Sequence, residues 1–145
     1  MKSTFLLAAI AFAGTAAAQS VTVDEGRWTM TTDTGGYVIQ DGIREDLPAE
    51  SDSLTECWIT PEDRTISEET MGLESCTFNS KARYGQRLEF EMTCEFDGVE
   101  MDGDMIVLAA PDGESALASV LFEAGADGTE VFAWSDMWVR RVGAC

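Results

Sequence analysis

The sequence contains no histidine among its 145 residues. This absence excludes Ser-His and Cys-His nucleophilic catalysis and zinc sites built on imidazole ligands. Basic residues are scarce, since 9 Lys and Arg stand against 27 Asp and Glu and give a net charge of −18. Such an imbalance argues against binding of DNA, RNA or an anionic membrane surface. The sequence also lacks phosphate-loop, dinucleotide-binding and lipase-elbow motifs, so no motif identifies a reaction.

The composition is that of a folding chain, with 45% hydrophobic and 25% charged residues. The length predicts one domain, and the chain has no repeat, low-complexity stretch or interdomain linker. The large negative charge has a simple explanation, because it keeps an exported protein soluble and suits a salty habitat where repulsion is screened. The net negative charge alone is therefore no reason to assign a function to any acidic residue.

The first 18 residues have the parts of a cleavable secretion signal. Lys2 supplies the charged region, residues 5–13 supply the apolar region, and the Ala-Ala-Ala sequence at 16–18 is an A-x-A-type cleavage site. The apolar run is too short for a transmembrane anchor, and no cysteine follows the cleavage point to carry a lipid. We expect cleavage after Ala18 and a periplasmic or secreted mature chain, with residues 19–145 forming a single disulfide-stabilised β-rich domain.

Four cysteines in an oxidising compartment predict two disulfides, for which three pairings exist. Cys76 and Cys94 are equidistant from Gly85, a natural turn between two strand-like segments. They therefore face each other across a hairpin, which leaves Cys57 to bond Cys145. Hairpin geometry favours this pairing, although sequence alone does not choose among the three, and four buried free thiols are the alternative.

The first half of the mature chain predicts two strands, a loop, a third strand and a helix. Residues 26–32 alternate as a strand does, and residues 37–39 form a short second strand before a mobile acidic loop that extends to Asp52. Residues 54–59 form the third strand. Thr60 then serves as a helix N-cap, with Pro at the first helical position and acids in the first turn, so a helix is predicted from Pro61 to about Met71.

The second half of the chain predicts an antiparallel meander. The first hairpin has arms at residues 76–84 and 87–95 around a Gly85-Gln86 turn. Three further strands, joined by Asp-Gly and Pro-Asp-Gly turns, are predicted at 99–110, 116–123 and 130–142.

The last strand is apolar on both faces, which is typical of a strand buried on two sides. Residues on one face are Val131, Ala133, Met137 and Val139, and residues on the other are Phe132, Trp134 and Trp138. We therefore expect the C-terminal strands to be buried on two faces, beneath the helix. The predicted fold class is mainly β: an antiparallel meander forming a curled sheet or half-barrel, with one short helix and two disulfides.

Four landmarks occur in order along the mature chain: Gly-Arg-Trp-Thr-Met at 26–30, Cys-Trp-Ile-Thr-Pro-Glu at 57–62, the Cys76 and Cys94 pair, and Arg-Arg-Val-Gly-Ala-Cys at 140–145. Together they resemble a secreted bacterial family known only as domain of unknown function 3617. One extra residue separates Cys57 from the Thr-Pro element, and an acidic glycine loop replaces the family's Met-Pro-rich segment. The resemblance implies a periplasmic or secreted location and no agreed activity or catalytic residue.

The aromatic face of the last strand is the candidate ligand site. Phe132, Trp134 and Trp138 are predicted to line a pocket for an apolar ligand, as the mouths of β-barrels often do. Arg140 ends the strand and is a candidate partner for a ligand carboxylate. The alternative is that these aromatic residues form ordinary core beneath the helix and that the arginine pairs with a nearby acid.

Two groups of residues are candidate metal ligands. The acids Asp97, Glu100, Asp102 and Asp104 lack the EF-hand order, but Asp102 and Asp104 fall on one strand face where they are able to share a cation. A solvated acidic face is the alternative. The methionines in predicted strands offer soft ligands for Cu(I), or fill an irregular core; they are Met30, Met92, Met101, Met105 and Met137.

The sequence therefore predicts a non-enzymatic envelope protein that binds a small apolar ligand, a lipid or another protein. It predicts no cofactor, no nucleic-acid partner and no membrane span after signal cleavage. The alternatives are a periplasmic protein that handles copper or calcium, and a hydrolase that uses paired carboxylates.

Overall fold

A computed structural model describes residues 19–145, so the predicted signal peptide lies outside the described residues. The described residues form nine β-strands and no helix. The strands are β1 (Ser20–Thr22), β2 (Gly26–Gln40), β3 (Ile43–Trp58), β4 (Thr65–Ser67), β5 (Cys76–Tyr84), β6 (Arg87–Phe96), β7 (Val99–Ala109), β8 (Ser115–Ala126) and β9 (Thr129–Gly143). Between residues 19 and 145 no helix is present that could span a membrane.

Seven strands form one antiparallel sheet in the order β3-β2-β9-β8-β7-β6-β5, while β1 and β4 pair separately as a short ribbon. Within residues 19–145 the sheet is open, with β3 and β5 at its edges. It is nevertheless curled, because Leu47 of β3 and Met101 of β7 line one cavity although three strands separate them. Strands β5 to β9 are neighbours in chain order, so the predicted antiparallel meander is confirmed.

Asp-Gly pairs make three of the hairpin turns. In each pair both residues have positive φ, as in Asp41 (53°) with Gly42 (79°) and Asp97 (50°) with Gly98 (80°). These angles suit type I′ turns, whose twist matches that of the flanking strands. The predicted hairpin around Gly85 is also present, and Gly85 has a φ of 62°.

The prediction of a helix from Pro61 to Met71 is wrong. Its capping signal does form one turn: Thr60 Oγ1 accepts a bond from the Asp63 amide at 3.2 Å, and Asp63 Oδ2 accepts one from the Thr60 amide at 3.0 Å. The carbonyl of Arg64, which the next helical turn would need, instead accepts the amide of Val23 at 2.9 Å. Strand pairing with β1 therefore replaces the helix after a single turn.

Burial of Ile66 explains why strand pairing between β1 and β4 is more stable here than a helix. Thr65 and Ile66 are β-branched and suit a strand. Ile66 lies opposite Val21, which is 1% exposed, and packs on the core. The capping residues specify only the first turn, whereas the ribbon buries Val21 of β1 and Val23 just after it.

The short strand and mobile acidic loop predicted for residues 34–52 are also wrong. Residues 26–40 form one continuous strand, and the acidic segment is most of its partner β3, a 16-residue strand. Pro48 is accommodated because β3 lies at the sheet edge and the ladder has a bulge, where the pairing shifts between Thr34 and Gly36. Cross-strand pairing therefore overrides the local loop signals of glycine, proline and acids.

The core lies between the concave face of the sheet and the β1–β4 ribbon. Leu88, Phe90 and Met92 of β6 and Val107 of β7 are almost fully buried there. Trp28 is 1% exposed, and its indole Nε1 donates to the Asp24 carbonyl at 3.0 Å.

The prediction that the C-terminal strands are buried on both faces is wrong for the convex face. Leu108, Leu121 and Trp138 point to that side and are 38%, 40% and 44% exposed. The reason is that the expected helix is absent, and the ribbon that stands in its place covers only the concave face.

Two disulfides tie the sheet together. Cys57 at the end of β3 bonds Cys145 just beyond β9, across 88 residues of chain. Cys76 and Cys94 are directly opposite in the β5–β6 ladder and bond across a Cα–Cα distance of 4.0 Å. These are the pairings that hairpin geometry favours. The longer bond joins two strands that flank β2, and therefore fixes the N-terminal hairpin to the last strand.

Candidate ligand-binding groove

A groove of about 460 Å³ lies between the ribbon and the concave face of the sheet. Strand register builds its floor from two adjacent cross-strand rows. Val107, Ala118 and Met137 form one row, and Ala116, Val139 and Met30 form part of the other. The roof comes from the ribbon and the turn after it, with Ile66, Thr70 and Met71.

Small residues on β8 leave the space open. Ala116 and Ala118 are successive positions on the concave face of that strand, between Val107 of β7 and the Met137 and Val139 side chains of β9. A larger side chain at either alanine would fill volume that the groove now provides. The groove therefore exists because Ala118 places only a methyl group between the larger Val107 and Met137, and Ala116 places only a methyl group beside Val139.

The wall of the groove is held by a pair of stacked tryptophans. The Trp28 and Trp58 rings have centroids 5.0 Å apart and an interplanar angle of 18°. Trp28 is buried, whereas Trp58 is half-buried and lines the groove. Stacking therefore holds the half-buried Trp58 ring against the buried Trp28 ring, which gives the groove a rigid aromatic wall.

The mouth of the groove is acidic. Glu56, Glu62 and Asp63 lie among its lining residues, and no Lys or Arg does. The amides of Thr60 and Ile59 and the Thr60 hydroxyl lie within hydrogen-bond distance of the Asp63 carboxylate and hold its pKa below the ordinary value of 3.8. Asp63 is therefore ionised at neutral pH, and the mouth favours an uncharged or cationic group over an anionic one.

The predicted ligand residues all lie on the convex face, away from this groove. Phe132 stacks on Tyr37 at 4.6 Å, and the Trp134 ring covers Gly35. Trp138 and Arg140 are exposed near the end of β9. The alternation of β9 brings these four residues to one side, as expected, and their part in binding stays a prediction.

The candidate metal ligands separate into different environments. Met92, Met101 and Met105 are buried in the sheet, while Met30 and Met137 line the groove. Among the described residues, no group of three or more His, Cys, Asp or Glu is arranged to hold a metal ion.

Sequence reasoning missed the roof of the groove. Ile66, Thr70 and Met71 fall in the segment predicted as helix, and β1 was not predicted at all. The available signal was the alternation of residues 20–23 (Ser-Val-Thr-Val), which matches the β-branched Thr65-Ile66 pair as a short strand partner.

The concave face continues past the ribbon into a second cavity of about 430 Å³. Its lining includes the apolar residues Leu47, Phe96, Met101 and Phe122, and the predicted ligand residue Trp134 also contributes to it. The Phe122 ring covers Gly103, its cross-strand partner, and meets Phe96 edge-on at 5.3 Å. The concave face is therefore apolar at both ends, although the ribbon covers only one of them.

Comparison with known proteins gives one match. The model of a family described as "Protein of unknown function (DUF3617)" matches residues 23–145. No curated protein and no solved structure matches the chain.

Proposed function

The chain belongs to the DUF3617 family, whose function is unknown, and on that premise we propose that it is an exported, non-enzymatic protein that binds a small apolar ligand in the groove beneath the β1–β4 ribbon. Export is supported by the two disulfides, since such bonds persist in oxidising compartments. The signal-peptide features of residues 1–18 support the same location.

The groove itself carries the proposal. Its volume of about 460 Å³ lies in the range of small-molecule sites, and its floor and roof are largely apolar. Met30, Met71 and Met137 are half-buried there and are flexible enough to adapt to ligands of different shape. An apolar molecule that enters the groove would remove these side chains from water, which is the main source of its affinity.

The acidic mouth narrows the class of ligand. Glu56, Glu62 and Asp63 would repel a fatty-acid carboxylate or a sulfate at the opening. We therefore expect an apolar body that ends in an uncharged or cationic group. This expectation differs from a carboxylate held by Arg140, which lies on the opposite face of the sheet.

A non-enzymatic role is supported by the chemistry available at the mouth. A general acid at neutral pH needs a carboxyl whose pKa is raised, as burial in an apolar pocket provides. Asp63 has the opposite property, since hydrogen bonds lower its pKa and it lies at the surface. Its role is structural, because it caps the turn that begins the roof of the groove.

Binding of Cu(I) is the second candidate function, and the methionines of the groove favour it. Met30, Met71 and Met137 all line this one space, and thioethers are soft ligands that suit Cu(I). An increase in melting temperature with Cu(I), abolished in Met71→Leu and absent with Ca²⁺, would support copper in place of an organic ligand.

The proposal is tested by titrating the mature protein with N-phenyl-1-naphthylamine, an uncharged dye whose fluorescence rises in apolar surroundings. We expect saturable binding, and we expect Ala118→Leu to weaken it at least tenfold because the added side chain fills the floor of the groove. The matched control is Ala82→Leu, the same substitution on the convex side of β5.

Two further variants separate the groove from the aromatic face of β9. Trp134→Ala and Trp138→Ser should leave dye binding unchanged, because neither residue lines the groove. Loss of dye binding in these variants, with Ala118→Leu unaffected, would move the ligand to the convex face and overturn the proposal.

A further inference from the structure

The convex face of the sheet carries an apolar patch that the ligand groove does not use. Its side chains come from three adjacent strands: Ile106 and Leu108 of β7, Leu117 and Leu121 of β8, and Trp134 and Trp138 of β9. The register places Leu108 opposite Leu117, and Leu117 opposite Trp138, so one apolar row crosses all three strands. A hydrogen-bonded pair, Ser119 and Asp136, separates this row from Leu121 and Trp134 and puts a carboxylate inside the patch. We call this set the convex patch.

The convex patch is accessible in the described part of the chain. Leu108, Leu121 and Trp138 are 38%, 40% and 44% exposed, whereas Val107, next to Leu108 and on the concave face, is fully buried. Contiguous exposed apolar surface is uncommon on a monomeric protein and marks an interaction site when polar residues surround it.

Carboxylates lie at one end of the patch, level with Leu121 and beyond it on the same face. The exposed acids that share the convex side of β6 to β9 are Glu91, Glu95, Glu100, Asp102, Asp104, Glu123 and Glu130. The arginines on that side of these strands, Arg87 and Arg140, border the row of Leu108, Leu117 and Trp138, and Arg87 pairs with Glu89 of its own strand. The end of the patch at Leu121 is therefore strongly negative.

We propose that the convex patch docks a positively charged amphipathic segment of a partner protein. The apolar side of such a segment would bury Leu108, Leu121 and Trp138, while its lysines and arginines would meet Asp136 and the carboxylates at the Leu121 end of the patch. This site is distinct from the groove, which opens on the opposite face of the sheet.

Charge excludes the other occupants of an apolar surface. A second copy of the chain would present the same carboxylates, and the net charge of −18 makes its approach unfavourable. An anionic membrane surface would be repelled in the same way. Opposite charge on the partner both speeds its association and selects it against wrong partners.

Trp138 is the expected anchor of the interface. It is the most exposed aromatic residue of the patch, and Leu117 lies opposite it on the adjacent strand. Tryptophan is enriched among the residues that dominate binding energy, particularly when less important contacts exclude water around it.

The test uses the mature protein and two synthetic amphipathic helical peptides of matched sequence, one of leucine and lysine and one of leucine and glutamate. We expect the lysine peptide to bind with an affinity that falls as salt rises, and the glutamate peptide not to bind. Trp138→Ser should weaken binding at least tenfold, and the double variant Glu91→Gln, Asp104→Asn should reduce both the affinity and its salt dependence.

The control variant is Ala118→Leu, which fills the groove and should leave peptide binding unchanged. The Trp138→Ser variant is shown to be folded if it still binds the dye in the groove. Equal binding of the two peptides, or full affinity in Trp138→Ser, would overturn the proposal. Loss of peptide binding in Ala118→Leu would also overturn it, as would saturable binding of the protein to anionic vesicles or self-association of the protein at the concentrations used.

Discussion

Ala118 lies directly opposite Met137 across the β8–β9 ladder, and the side chains of both form the floor of the groove. The pairing of a methyl group with a long flexible thioether leaves space on the β8 side and an adaptable surface on the β9 side. Position 118 is therefore where the sequence most directly determines how much room a ligand has.

The acidic mouth predicts a preference for positively charged amphiphiles. Decyltrimethylammonium and decyl sulfate have the same alkyl chain and opposite charge, so their difference in affinity isolates the electrostatic contribution. Because three exposed carboxylates line the mouth, we expect the cation to bind at least about threefold more tightly.

Isothermal titration at low and high salt, below the micelle concentration, measures this preference. Glu62→Gln should reduce it, while Glu91→Gln, on the convex face, should leave it unchanged. Tighter binding of decyl sulfate would contradict the assignment of ligand class.

Asp63 predicts a specific pH dependence of stability. Its folded pKa is lowered, first by the bond from the Thr60 amide, so its contribution is present above the unfolded value and is lost as the pH falls through the folded value. We expect Asp63→Asn to be less stable than wild type at neutral pH.

Urea denaturation at a series of pH values measures this difference. It should be constant above about pH 5, should shrink as the pH falls below the ordinary value of 3.8, and should vanish in stronger acid. A difference that stays constant into strong acid would mean that the charge of Asp63 does not support the turn.

Two tryptophans of opposite burial predict very different costs of truncation. Trp28 is 1% exposed, stacks on Trp58 and donates a hydrogen bond, whereas Trp138 is 44% exposed. Trp28→Ala should therefore reduce the free energy of unfolding by about 3–5 kcal/mol, and Trp138→Ala by about 1 kcal/mol or less. Chemical denaturation of both variants measures this, and similar costs would contradict the assignment of Trp138 to an uncovered face.

The two disulfides predict unequal contributions to stability. Closing 88 residues removes roughly 4–5 kcal/mol of unfolded-state entropy, and closing 18 residues removes roughly 3 kcal/mol. Replacing Cys57 and Cys145 together with alanine should therefore be more damaging through the chain-entropy term alone.

The variant for comparison replaces Cys76 and Cys94 together with alanine; Cys94 is buried, so this variant also loses packing. Denaturation of both double variants under oxidising conditions measures the loss of stability caused by removing each disulfide. An unchanged melting curve in Cys57→Ala, Cys145→Ala would contradict a stabilising role for the longer bond.

The meander was predictable because its signals are local. Asp-Gly pairs require positive φ and so mark the turns, and the alternation of β6 separates its buried from its exposed face. The position of Gly85 midway between Cys76 and Cys94 favoured a disulfide pairing, although a bulge between Phe78 and Ser80 is what brings these two cysteines directly opposite each other. The family resemblance spans the same segments, and the family is confirmed.

The ribbon was missed because its stability is non-local and its only sequence signal is two very short segments far apart in the chain. Residues 60–63 carry a genuine capping pattern, and they do form a turn. What ends that turn is the amide of Val23, which lies 41 residues before Arg64 in the chain. Local propensity carries no information about such a partner, so the helix was predicted and the groove roof was missed.

The convex face was misjudged for a related reason. Apolar residues on both sides of β9 predict burial on both sides, because exposed apolar surface is unfavourable. The sequence does not say whether the second cover comes from the same chain. No segment of residues 19–145 covers this face, and under our proposal a partner's docking segment would cover it.

Native mass spectrometry tests the central claim most directly, on protein isolated without denaturation from the cells that naturally produce it. A groove that holds an apolar ligand predicts an adduct that organic solvent removes, that is absent in Ala118→Leu and that is retained in Ala82→Leu. A wild-type mass that corresponds to the bare chain with two disulfides, together with no uptake of uncharged or cationic amphiphiles, would contradict it.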